Sequence, residues 1–242
     1  MSGGGKRVWR DTIWRLPGTS PVRAFRTGRP SFLRSAILFE GGLVLLALAL
    51  GWLLGEPPFG TVRFGWRPLL WGTLATLPPL IALSWLLHAQ NARLAELVRT
   101  VEEMIGPLFA GASSGALLVL AILAGIGEEG LFRGVLQSAL AGPTGPWGAL
   151  LLASALFGLV HFVTATYAVL AALIGLYLGW LFLRTGNLLV PIVVHALYDF
   201  VALSILVHRT KAEPDLADAA VAIPARPMGD SDDPPPAAVD LF

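Results

Sequence analysis

Six apolar runs, each close to the length of a membrane-crossing helix, constrain this chain more than any other feature. They fall at about 35–54, 69–88, 114–140, 146–163, 166–184 and 188–208. A helix needs roughly 20 apolar residues to cross the hydrocarbon of a bilayer. No alternating segments of about ten residues are present, so a transmembrane β-barrel is not expected. The chain is read as an all-α, polytopic transmembrane helix bundle, because in lipid only helices and closed barrels satisfy their own backbone. Only 14% of the residues are charged, against about a quarter in soluble domains. The mean hydropathy of +0.69 agrees.

The connections predict compactness. GPTG at 142–145 and Thr185-Gly186-Asn187 are short enough to force antiparallel neighbours. Residues 91–108 read as an amphipathic helix at the membrane surface. Three regions result: a basic arm at 1–34, a transmembrane domain at 35–208 with a candidate functional core at about 114–205, and a tail at 209–242. The tail carries six prolines and seven acids in 34 residues and is expected to be disordered.

Charge sets the expected topology. The arm holds eight Lys or Arg against one acid, Asp11, and a basic flank before the first span stays in the cytoplasm. With the N-terminus inside, the inner segments carry thirteen Lys or Arg and the outer loops three. Both termini are therefore expected in the cytoplasm. Anionic lipid head groups account for the arm's charge, so no nucleic-acid partner is expected. The composition suggests a bacterial cell membrane. There is no cysteine, which excludes disulfides, thiolate metal sites and a Cys nucleophile.

Ionisable groups inside spans are costly to insert and mark functional sites by default. They cluster here: Glu128, Glu129 and Arg133 in the third run, His161 in the fourth, His195 and Asp199 in the sixth. At about 100° per residue, Glu129 and Arg133 share a helix face and can pair, leaving Glu128 for proton transfer. His195 and Asp199 form a second stripe. A free carboxylate near a histidine is equipment for activating water. Taken singly, each group has a structural explanation: a helix-stabilising pair, or an interhelical hydrogen bond. Three spans each carrying such a cost point to function.

Other features receive structural readings. Glu40, near the start of the first span, is expected to reach the interface. Gly175 and Gly179 form GxxxG, a helix-packing pattern. Gly111-Ala112-Ser113-Ser114-Gly115 reads GxSxG, but without the strand a nucleophile elbow requires. A proton-coupled transporter would use buried Glu and His as a relay, yet no paired broken helices suggest inverted repeats.

Three motifs in order carry a resemblance. Glu128-Glu129-Gly130-Leu131-Phe132-Arg133 fits EExxxR, Phe157 to His161 fits FxxxH, and His195 to Asp199 fits HxxxN or HxxxD. Over about 114–205 the chain resembles the CPBP family, which includes Ras-converting CAAX endopeptidases and bacterial bacteriocin-immunity proteins. The resemblance implies an intramembrane endopeptidase acting on a peptide or protein substrate at the bilayer. Glu128 would polarise the attacking water with His161, His195 and Asp199 would stabilise the oxyanion, and Glu129 and Arg133 would brace the site. Asp199 stands where prenyl-protein members usually carry Asn; Asn donates a hydrogen bond and ionised Asp does not. A glutamate-and-water mechanism needs no cofactor. A divalent metal such as zinc is the alternative, on Glu128, His161, His195 and Asp199; HExxH is absent. A further alternative is a non-catalytic immunity or binding protein.

Overall fold

The computed structural model describes residues 30–221, whose regular structure is all helical, with no strand among them. The helices are α1 (Pro30–Leu54), α2 (Trp66–Ala75), α3 (Leu77–Leu87), α4 (Ala92–Phe109), α5 (Ser114–Glu129), a π-helical segment (Gly130–Gln137), α6 (Ser138–Val160), α7 (Ala165–Thr185) and α8 (Leu189–Val221). Most of the basic arm, through residue 29, and the tail from 222 onward lie outside the described residues. The boundary expected at 208 falls inside α8, which runs on to Val221 through a segment with four alanines, the strongest helix former.

Among the described residues, five helical stretches are long and apolar enough to span a bilayer. The third, Ser114–Val160, has 47 residues. Held straight it would be about 70 Å long, more than twice the hydrocarbon thickness. It is not straight. Gly145 has φ 72 and ψ 168, a conformation that glycine enters without a Cβ penalty. The chain folds back there, so that Phe132 and Phe157, 25 residues apart in sequence, meet with ring centroids 5.0 Å apart. The third stretch is thus two antiparallel arms, and the bundle has the six crossings expected.

A second break joins α2 to α3 at Thr76. Pro79 has no N–H for the carbonyl of Ala75 four residues before it. The Tyr177 hydroxyl of α7 donates to that carbonyl at 2.7 Å. A neighbouring helix thereby satisfies the backbone group the proline frees.

The exposure pattern is that of a protein solvated by lipid. Leu38, Leu45, Trp52, Trp71, Ile81 and Leu159 stand outward, while Glu128, Glu129, Arg133, Gln137 and His195 are buried. In water such apolar patches would be an aggregation hazard. The chain is an integral membrane protein.

Small residues bring the site-bearing helices together. A Cβ on Gly125 would lie 3.0 Å from the Ile192 carbonyl oxygen and 3.2 Å from Ala196 Cβ, so α8 lies close against α5 there. A Cβ on Gly127 would lie 2.9 Å from the carbonyl oxygen of Glu40, so α1 lies close against another side. Without a hydrophobic drive between helices in lipid, such close contact supplies the packing energy.

Candidate active site

The acidic pair stands at the end of α5, where the helix widens from α to π geometry. Single π turns occur often at functional sites, because they displace side chains from the regular register. Arg133 lies in the widened segment and its side chain is 1% exposed. Its Nη1 donates to Glu129 Oε1 at 2.8 Å and its Nη2 to the Gly175 carbonyl at 2.8 Å. The guanidinium also lies over the Phe157 ring, 4.6 Å from its centroid. One turn on, Gln137 donates to the Gly179 carbonyl at 3.2 Å. The GxxxG of α7 therefore does more than the packing role expected: it bares two carbonyls to the π segment.

His161 caps the C-terminus of α6, with φ −92 and ψ 20. The last carbonyls of a helix lack intrahelical partners. His161 Nδ1 stands 2.8 Å from that of Phe157, and the two rings stack at 4.4 Å. The FxxxH spacing thus has a local cause: a residue at i+4 closes on the orphaned carbonyl and turns its other nitrogen inward. His195, on α8, places Nδ1 2.8 Å from Glu129 Oε1. A carboxylate and a carbonyl only accept, so these contacts assign the Nδ1 protons of both histidines and leave both Nε2 atoms to face the site.

The Nε2 atoms face Glu128. Oε2 of Glu128 lies 3.5 Å from His161 Nε2 and 4.0 Å from His195 Nε2. His195 Nε2 is also 3.4 Å from Asp199 Oδ2. Oε2 of Glu128 is buried and makes no hydrogen bond. These separations are too long for direct hydrogen bonds, but a water oxygen about 2.8 Å from each atom would close them. All six residues singled out from the sequence are brought together: Glu129 and Arg133 pair, Glu128 stands beside His161 and His195, and Asp199 adjoins His195.

The sequence reading misplaced Glu40. Its carboxyl turns into the bundle: Oε2 is buried without a hydrogen-bond partner, and the group interacts electrostatically with His195 and Asp199. The signal that would have found it is the one applied to the others, an acid within an apolar span. Ser113 of the GxSxG match caps α5, accepting from the Ala116 N–H at 3.2 Å.

An apolar cavity of about 350 Å³ reaches the cluster. Glu128, His161, His195 and Asp199 line it, and so do Leu86, Leu97, Val101 and Ile105 of α3 and α4. Its size suits a small ligand or a short peptide segment.

Buried Glu128 at the centre of this cluster, with its motifs on α5, α6 and α8, is the arrangement against which kinship can be weighed. Residues 111–201 match the family model of the Rce1-like type II CAAX prenyl endopeptidases. The Rce1-like stretch takes in all six candidate residues and excludes α1 through α4, hence Glu40. No curated protein and no solved structure matches the chain significantly.

The donor types suit a metal, since two imidazoles and carboxylates are common zinc ligands. Among the described residues no group of three or more His, Cys, Asp or Glu side chains is drawn together as a metal site.

Proposed function

We propose that this protein is an intramembrane endopeptidase of the Rce1-like kind, which hydrolyses a peptide bond with water activated by Glu128 and His161. The observation that carries the reading is Glu128 Oε2, buried, unpartnered and 3.5 Å from a histidine nitrogen whose other side is held by the Phe157 carbonyl. Oxygens of Glu40, Glu129 and Gln137 are also buried without a partner; Glu128 Oε2 differs in standing between the Nε2 atoms of two histidines, at 3.5 and 4.0 Å.

The water's oxygen attacks the substrate carbonyl carbon while its proton passes to Glu128. The carbonyl oxygen becomes the oxyanion. When the C–N bond breaks, the proton held by Glu128 passes to the departing amine, and acid and amine products leave. Glu129 and Arg133 keep His195 turned toward the reacting carbon. The cavity's apolar lining favours a substrate with apolar side chains or a lipid-modified segment beside the scissile bond. The charge bias of the loops supports both termini on the cytoplasmic side.

The test is cleavage of a prenylated CAAX peptide in proteoliposomes by the wild type and by Glu128→Gln. Gln keeps size and hydrogen bonding but cannot take a proton. The expected result is loss of at least about a hundredfold in kcat, the usual scale of general-base catalysis. Full activity in Glu128→Gln overturns the reading. Loss of wild-type activity with a chelator, restored by zinc alone, would replace glutamate-activated water with a metal-dependent route.

A further inference from the structure

A tetrahedral oxyanion needs hydrogen-bond donors where its charge develops. The cluster is poor in them. Ionised Glu128 and Asp199 only accept. His161 and His195 commit Nδ1 to Phe157 and Glu129. Arg133 commits Nη1 and Nη2 to Glu129 and Gly175. Arg133 does not line the cavity. The side-chain donors these residues leave to it are the Nε2–H groups of His161 and His195 in their charged forms, and His195 Nε2 already stands 3.4 Å from Asp199 and 4.0 Å from Glu128. Asn at position 199 would have offered an N–H; Asp removes it.

Across the same cavity stands a phenol. Tyr167 lies in the first turn of α7, where its N–H donates to Thr164 Oγ1 at 3.1 Å and fixes the turn. Its side chain lines the cavity with Glu128, His161 and Asp199, and its hydroxyl makes no hydrogen bond to a described residue. Its phenol interacts electrostatically with both Glu128 and Asp199, whereas the interactions of neighbouring Tyr198 are with Asp199 and Tyr167. Tyr177, also on the cavity wall, spends its hydroxyl on Ala75. A donor to the oxyanion should share the cavity with the base and keep its hydroxyl unspent, and Tyr167 does both.

We propose that the Tyr167 hydroxyl donates a hydrogen bond to the oxyanion and replaces the donor that Asp199 does not supply. The proposal rests on the hydrolase reading above. The experiment measures kcat and KM for the prenylated peptide in proteoliposomes with Tyr167→Phe, Asp199→Asn, the double variant and Glu128→Gln. Tyr167→Phe is expected to lower kcat about a hundredfold with little change in KM, the scale of removing one oxyanion donor. Adding Asp199→Asn to Tyr167→Phe is expected to restore at least about tenfold of that loss, because Asn brings back an N–H. If Glu128→Gln is inactive and Tyr167→Phe is fully active, the Tyr167 role fails while the protease reading stands. If Glu128→Gln is active, the protease reading fails first.

Should Tyr167→Phe fail to fold, 3,5-difluorotyrosine at 167 keeps the ring and makes the phenol more acidic. Glu128, His161, Asp199 and Tyr198 face it and stay unchanged. The alkaline limb of the kcat profile is then expected at lower pH, and an unmoved profile overturns the proposal.

Discussion

His195 holds its Nδ1 2.8 Å from Oε1 of Glu129. The same carboxylate oxygen takes Arg133 Nη1 at 2.8 Å, so one oxygen organises two buried side chains from different helices. A carboxylate behind a catalytic imidazole fixes its tautomer and orientation. Glu129→Gln separates that role from packing. An amide in the same place can present N–H to His195 and reverse its tautomer. The expected outcome is a fall in kcat of about a hundredfold with the bundle still folded, read by peptide cleavage beside thermal melting in detergent.

Arg133 makes a sharper stability prediction. Arg133→Ala leaves Glu129 buried at 0% exposure without its main counter-charge. Breaking a buried pair from one side costs about 3–5 kcal/mol. The variant is expected to melt far below the wild type or to fail to accumulate in the membrane.

Gly175→Ala tests the close approach that bares a carbonyl to Arg133. The added Cβ would sit 3.2 Å from Arg133 Nη2 and 3.2 Å from Phe157 Cδ1. Both partners are packed, so the crowding cannot relax freely and is expected to cost about 1–3 kcal/mol. Activity should fall with stability, since Phe157 also carries His161. A melting temperature and a rate equal to the wild type's would show that the contact is softer than its geometry.

Glu40→Met removes a buried carboxylate oxygen that has no hydrogen-bond partner. If Glu40 serves packing alone, removing the unpaired group is expected to stabilise the bundle by about 1–3 kcal/mol. Detergent melting read together with cleavage decides the matter. A more stable and inactive variant would enlist Glu40 in the chemistry.

On the exposed face of α4, Arg99 lies 2.6 Å from Glu96 and 3.0 Å from Glu103. The Arg99 guanidinium, by hydrogen bond and charge, holds the Glu96 carboxyl below its ordinary value. A lowered folded value stabilises above the ordinary carboxylate range, and the contribution is lost as pH falls through the folded value. Full exposure screens it. Arg99→Ala is therefore expected to leave the melting temperature unchanged both near neutral pH and in mild acid.

The sequence by itself determined the solvent, the helical class, the number of crossings and the residues that meet. Run length, the dearth of charge and the cost of placing Glu128, His161, His195 and Asp199 in lipid are properties of composition along the chain, so they are legible without coordinates. Only the tertiary structure decided that the helix widens after Glu129 and that Gly175 carries Arg133. Those outcomes depend on backbone angles and on which helix lies against which, and local sequence does not encode either. The depth of Glu40 was decided in the same way, by the close approach of α1 to Gly127. One acid in an apolar run reads the same in sequence whether its helix turns it toward the head groups or toward the site.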